Sequence, residues 1–432
     1  MEKLALYPFQ EEAVEILVNR KHTLLAHAMG LGKTCISIGL INALGLSRVL
    51  IVCKASIKIN WQRKLSEWLD HPRSVQIINS RVEIVEPLSE IVIINYDLLT
   101  HSYMMHQLKS IKWQLLVCDE AHYLKNMKAL RTQAVLSKRG LIHCVERSLL
   151  VTGTPVLNRP IELYPMLKVL SPETIAPYGD YYKYAKRFCA GFQDGFCFND
   201  KGASHTDDLN SRLRQGFMIR RSYEEVEMQL PKRRFEIVLI EQTKDVTKSL
   251  RVLEDAERLD FKRQKLNVDA GGLATLRRET AEQKIDVTID KIREYVESVD
   301  KLVIFAYHHS VIEKLREALK TYGILVITGS TSTIYRQAYI DKFVKDKTIK
   351  VFIGQIDAAG EGIDGLQSVC HNVLFVESSW VPGTISQAIA RVWRLGQQHP
   401  VLVRFLVWAN SIEEHQMRVA LDKVRTIREI TK

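Results

Sequence analysis

The sequence predicts an α/β fold built from two successive series of parallel strands. Three observations carry that prediction. Short continuous runs of Val, Ile and Leu recur along the chain, and a strand apolar at every position belongs in a parallel sheet covered on both faces. Longer amphipathic stretches separate the runs, as crossover helices would. The chain has 432 residues, 46% hydrophobic and 26% charged, which suits two or three domains of about 150 residues with cores that need no staples.

The first series of apolar runs falls at residues 23–26, 49–53, 91–94, 115–118 and 149–152. The second falls at 237–240, 302–305, 324–327, 351–353, 373–376 and 401–407. Val311, Leu315 and Leu319 recur at a spacing of four, which predicts a helix. Ser310 with Glu313 reads as the capping box that opens it, and Ser411 with Glu414 repeats the signature near the end. Between the two series, residues 243–299 are strongly charged and helical in character. Gly271-Gly272 interrupts that stretch, and a surface helical hairpin is expected there.

No run approaches the roughly 18 apolar residues of a membrane-spanning helix, and the N-terminus lacks a signal peptide's apolar core. The expected location is therefore cytoplasmic or nucleoid-associated. The formal charge is +11 and the isoelectric point about 9.2, which reads either as a solvated basic surface or as a surface for a polyanion. Arg212, Arg214, Arg220, Arg221, Lys232, Arg233 and Arg234 form the densest basic stretch. Tyr181, Tyr182, Tyr184 and Phe188 precede it, interleaved with Lys183, Lys186 and Arg187. Two readings stand there: a surface for a nucleic-acid backbone, and a packed aromatic helix with solvated charges. The seven cysteines include no CxxC pair, and Cys53 and Cys118 sit in strand-like runs, which suits a reducing compartment. Cys189, Cys197 and His205 are the nearest thing to a metal cluster, and their spacing matches no standard zinc pattern.

The most informative segment follows the first run: His27-Ala28-Met29-Gly30-Leu31-Gly32-Lys33-Thr34, leading into a helical stretch. Small residues here let backbone N–H groups close around phosphate oxygens at a helix N-terminus. Lys33 would reach the β- and γ-phosphates and the Thr34 hydroxyl would ligate Mg2+. His27 stands where such loops usually carry their first glycine. The run at 115–118 ends in Asp119-Glu120-Ala121-His122. Asp119 can hold the Mg2+ and Glu120 can orient and deprotonate the attacking water, because phosphoryl transfer is mainly positioning and charge neutralisation. Arg391 and Arg394, three apart and expected on one helical face, are candidate arginine fingers from the second series.

These segments, in order, resemble the Snf2 family of helicase superfamily 2 ATPases over most of the chain. Leu6 to Gln10 resembles the adenine-reading Q motif. Met29 to Thr34 resembles motif I. The 49–53 run with Asn60-Trp61 resembles motif Ia, with Lys54 replacing a usual proline. Ile94 to Asp97 resembles motif Ib, Asp119 to His122 the DEAH motif II, and Leu150 to Asn158 motif III. Phe217 to Arg221 resembles the end of the first Snf2 lobe. Leu302 to Tyr307 resembles motif IV, Ala359 to Ile363 motif V, and Gln387 to Gln397 motif VI. His27, Ala28, Lys54, Ala390 and Trp393 depart from the usual residues. Gly329-Ser330-Thr331 and the compact spacing look most like the HARP-type annealing-helicase branch.

The resemblance implies two RecA-like lobes with helical insertions, the first at residues 1–225 (insertion about 161–214) and the second at 226–432 (insertion about 243–299). It implies ATP and Mg2+ as cofactors and DNA, typically duplex, as partner. ATP-binding residues carried over are Gln10, Met29, Gly30, Gly32, Lys33, Thr34 and Gly362. The coupling residues are Thr152, Thr154 and Gln387. Ser56, Asn95, Gly360, Arg220 and Arg221 are carried over as DNA contacts. The function expected is a DNA-stimulated ATPase that translocates on duplex DNA and remodels forks or anneals strands. The competing readings are a strand-separating DNA or RNA helicase and a nucleotide-gated recruitment module with slow hydrolysis. No chromatin-reading or nuclease module is visible in the sequence, and a bacterial or viral source is the expectation.

Overall fold

The computed structural model describes residues 5–156, 158–195, 197–223, 225–226, 231–241, 270–359, 363, 365–379, 381–394, 396–409, 411, 413–414 and 417. The chain divides into two compact units, one running to Met228 and the other starting at Gln229. No helix among the described residues is long and apolar enough to cross a membrane.

The first unit is built on strands β1 (His22–Leu25), β2 (Val49–Cys53), β3 (Val75–Ile77), β4 (Ile91–Asn95), β5 (Trp113–Asp119) and β6 (Val145–Val151), then β9 (Met218–Ile219). Their order is β3-β4-β2-β5-β6-β1-β9, and every pairing is parallel. Strands β2 and β4 are buried at every position, as continuous apolar runs require. The sequence pattern misses β3, whose three residues are only half-buried, and β9, which is two residues long. Register puts Leu25, Val151 and Asp119 level across β1, β6 and β5, so the loops leaving these three neighbours share one edge of the sheet.

The span expected as a helical insertion carries helices Tyr164–Leu170, Tyr181–Phe188 and Thr206–Gly216, together with an antiparallel hairpin, β7 (Phe192–Asp194) and β8 (Cys197–Asn199). Two of the four aromatics pack inward, while Tyr182 is exposed. Tyr184 and Phe188 are fully buried against each other and against Tyr164 and Tyr178, and Tyr181 packs edge-on to Tyr164. Arg187 and Arg212 both pair with Asp208, and both guanidiniums lie over the Tyr178 ring. Cys189 is buried in the same cluster, its thiol pushed up to about 12 by burial, whereas Cys197 is exposed.

The second unit carries β10 (Arg233–Ile240), β11 (Leu302–Ala306), β12 (Ile324–Ile327), β13 (Val351–Gln355), β14 (Asn372–Phe375) and β15 (Val401–Trp408), in the order β10-β15-β14-β11-β13-β12 and again all parallel. Strand β10 starts four residues before its apolar run, because all eight of its residues pair with β15. Two expectations are corrected. The stretch expected as a surface hairpin contains helix Ala270–Glu297, which runs through Gly271-Gly272 and buries Ala281, Ile285, Ile292 and Val296 in the core of this unit. Its charged residues hide that stripe in the composition. Residues 242–269 lie outside the described residues. Helix His309–Leu319 buries Val311, Leu315 and Leu319 as expected. Its N-cap is His308, which places Ser310 inside the first turn, and Glu313 pairs with Arg316.

Candidate active site

The phosphate loop leaves β1 and turns into helix Lys33–Ala43 at Gly32, whose φ of 72° is left-handed, as is the 79° of Gly30. A Cβ at Gly32 would lie 2.2 Å from Gln10 Nε2, so only glycine fits there. Gln10 is buried. Its Nε2 donates to the Leu31 carbonyl at 3.1 Å and its Oε1 accepts the Tyr7 N–H at 3.0 Å. One side chain thus ties the start of helix Pro8–Val18 to the loop. Lys33 Nζ donates to the carbonyls of His27 and Ala28, at 2.9 and 3.1 Å. Thr34 follows on the helix's first turn, where the dipole favours an anion.

Asp119 ends β5. Its Oδ2 accepts the Trp61 indole N–H at 2.7 Å and its Oδ1 accepts the Glu120 N–H at 2.9 Å. Burial and the neighbouring Glu120 charge push its carboxyl up to about 7, against the pull of Trp61, the Glu120 N–H and Lys33. The Asp119 carboxylate and the Thr34 hydroxyl are hard oxygen donors of the kind Mg2+ takes, so these residues fit that ion. Glu120 sits at φ 53°, an uncommon conformation for a side-chain-bearing residue, held where the strand ends. Its Oε2 lies 3.2 Å from His122 Nδ1, which also lies 3.2 Å from Thr152 Oγ1. Thr152 Oγ1 in turn accepts the Thr154 N–H at 3.1 Å. A chain of polar contacts therefore runs from Glu120, just past the end of β5, to the loop after β6. Gly153 closes the arrangement: a Cβ there would lie 2.5 Å from Met29 Cγ and 3.2 Å from Lys33 Nζ.

His27 is fully buried. Burial, with Lys33 and Arg221 nearby, lowers its ring to about 3 and keeps it neutral. Arg220 and Arg221, expected as DNA contacts, follow β9 and lie beside the strand that leads into the phosphate loop. Arg220 Nη1 donates to the Ala26 carbonyl at 2.8 Å, and Arg221 Nη2 pairs with Glu12 at 2.6 Å. The reason is β9, which lays this segment alongside β1. Asn95 is buried, its Oδ1 accepting from Lys58 Nζ at 3.3 Å, and Ser56 lies in the turn Ala55–Ile57.

In the second unit helix Pro382–Ile389 buries Gln387 and stops at Ala390. Arg391 and Arg394 therefore do not share a helical face. They lie in successive turns, where the N–H groups of Arg391 and Val392 bond three residues back. Arg391 Nη1 donates to the Ile363 carbonyl at 3.1 Å. Trp393 anchors this segment through its indole N–H to the Pro231 carbonyl at 2.8 Å, with the Arg233 guanidinium 4.2 Å from the indole ring centroid. Gly360 and Gly362 lie outside the described residues.

Residues 9–285 match the SNF2-related domain and residues 283–396 match the helicase conserved C-terminal domain. The chain belongs to the SNF2-related family. It is 30% identical over 436 residues to SWI/SNF-related matrix-associated actin-dependent regulator of chromatin subfamily A-like protein 1 of Xenopus tropicalis, covering 98% of this chain and 44% of that protein. It is 29% identical over 432 residues to the DNA annealing helicase and endonuclease ZRANB3 of Homo sapiens, covering 94% and 39%. The chain spans less than half the length of these relatives. The SWI2/SNF2 ATPase core of Sulfolobus solfataricus, solved in complex with dsDNA, aligns over 99% of this chain and 97% of that one at 20% identity and a TM-score of 0.48. That likeness adds nothing to the strand order above.

The sequence pattern passed over three residues of this SNF2-related site. His122 was legible within the DEAH motif and Trp61 beside Asn60, but nothing in the spacing assigned either a partner. Tyr223, whose hydroxyl donates to the Met29 carbonyl, carried no signal.

Proposed function

We propose that this chain is an ATP-hydrolysing motor, stimulated by DNA, that translocates on duplex DNA and remodels forks or anneals strands. One observation carries the reading. A phosphate loop, an acidic pair and a threonine relay leave three neighbouring parallel strands, in a chain whose family match extends through both units. Gly30, Gly32 and the helix N-terminus bind the triphosphate, Lys33 meets its terminal phosphates, and Gln10 with Tyr7 faces the base. Thr34 and Asp119 hold Mg2+, which supplies charge neutralisation at the phosphates. Glu120 orients water and accepts its proton, and the His122–Thr152–Thr154 chain reports that step to the loop after β6. Arg391 and Arg394 stabilise the charge that develops in the transition state, as arginine fingers from the second unit. Closure and reopening of the lobes then ratchet the chain along DNA.

Support for DNA as the partner comes from the basic charge and from a relative named as a DNA annealing helicase. The test is ATP turnover with duplex DNA, single-stranded DNA and RNA, followed by triplex displacement with ATP, using Lys33→Ala as the inactive control. Duplex-stimulated turnover with displacement of the third strand is expected. Stimulation confined to single strands or RNA, with unwinding, would replace the reading by a strand-separating helicase. Turnover indifferent to every nucleic acid would replace it by a recruitment module.

A further inference from the structure

Trp61 is 1% exposed and sits on helix Lys58–Trp68, which follows β2. Strands β2 and β5 are neighbours, with Val52 opposite Cys118, so the indole reaches sideways to the end of the adjacent strand. Its N–H donates to Asp119 Oδ2 at 2.7 Å, short for a nitrogen donor and in the range of hydrogen bonds to a charged acceptor. The Glu120 N–H holds the other oxygen at 2.9 Å. The carboxylate is thus gripped once at each oxygen, which fixes its rotation while leaving each oxygen a further lone pair. Packing alone would not need the nitrogen, because a phenylalanine could fill much of the same apolar space.

Resting on the nucleotide-site reading above, we infer that Trp61 is a positioning residue for the metal-bearing carboxylate: its indole N–H holds Asp119 in the orientation that takes Mg2+. The partners that orient a metal ligand commonly tune metal affinity by about 10- to 100-fold. Trp61→Phe keeps an aromatic ring in the core and removes the donor. It is expected to cut the Mg2+-dependent gain in affinity for a fluorescent ATP analogue by about tenfold or more, with affinity in EDTA changed less than about twofold.

A second measurement reads the donor in the wild-type and Asp119→Asn proteins, with Trp61→Phe used only to assign the signal. The chain has six tryptophans, and indole N–H signals in protein labelled with 15N-tryptophan report each donor. One downfield signal is expected to move in Asp119→Asn, to shift when Mg2+ and a non-hydrolysable ATP analogue are added, and to be missing in Trp61→Phe. If no indole signal responds to Asp119→Asn, or if Trp61→Phe retains the full Mg2+ gain, the role assigned to Trp61 is overturned while the site reading stands. If the wild-type protein shows no Mg2+-dependent nucleotide binding, both fall together.

Discussion

Lys284 is the sharpest test of how the second unit holds together. Its side chain is fully buried on helix Ala270–Glu297, and Nζ lies 2.5 and 2.7 Å from the two oxygens of Glu413, itself 9% exposed. The same ammonium donates to the Leu406 carbonyl at 3.0 Å and to the Val376 carbonyl, and Glu413 Oε2 also accepts the Trp408 N–H at 3.0 Å. The pair therefore fastens the helix and the segment after β15 to the ends of β14 and β15. Lys284→Met removes the cation and leaves a buried carboxylate with one backbone donor. Breaking a buried pair from one side costs about 3–5 kcal/mol. In a unit of this size each kcal/mol moves the melting point by about 2–4 °C, so a fall of about 10 °C is expected. The double variant Lys284→Met/Glu413→Leu removes both charges and should recover most of the loss, because the pair's attraction is offset by its desolvation. The assay is urea and thermal unfolding of wild type, both single variants and the double variant, read as a cycle. A single variant within about 1 kcal/mol of wild type, or a double variant no better than the singles, would refute the reasoning.

Three further outcomes follow from the site. Arg391→Ala should lower turnover far more than ATP affinity, because the charge it meets develops in the transition state; equal losses in steady-state turnover and equilibrium binding would count against the finger role. Thr152→Val keeps the shape but strips the hydroxyl shared by His122 and Thr154, which strands buried polar groups at about 1–3 kcal/mol. Stimulated turnover should fall about tenfold with binding within about twofold, and a calorimetric titration beside a rate assay checks it. Asp119, raised from its ordinary 3.8 to about 7 by burial and Glu120, binds its proton more tightly folded than unfolded. The free protein therefore loses this group's contribution to stability as pH rises from about 4 to about 7. Mg2+ must displace the same proton, so the thermal shift given by Mg2+ with ATP should be larger at pH 8 than at pH 6. A shift flat across that range would contradict it.

Much of the site was legible because its chemistry is local. Gly30, Gly32, Lys33 and Thr34 stand together at a strand-to-helix junction, and Asp119 and Glu120 end an apolar run; covalent neighbours fix both patterns. The continuous apolar runs announced parallel sheets for the same reason. The helical character of the stretch around Ala270–Glu297 was legible, but its buried face was not, because surface charges outnumber the buried stripe. Spacing alone puts Arg391 and Arg394 on one helical face, because it cannot show that the helix stops at Ala390.

By itself, the sequence determined the class of fold, the phosphate loop, the acidic pair and the family. Only the tertiary structure decided that Arg220 bonds the Ala26 carbonyl and Arg221 pairs with Glu12, that Trp61 grips Asp119, and that His122 lies between Glu120 and Thr152. The physical reason is strand order. β5, β6 and β1 become neighbours, and β9 is laid beside β1, through long-range parallel pairings. Composition and spacing along the chain carry no record of which strand end will face which.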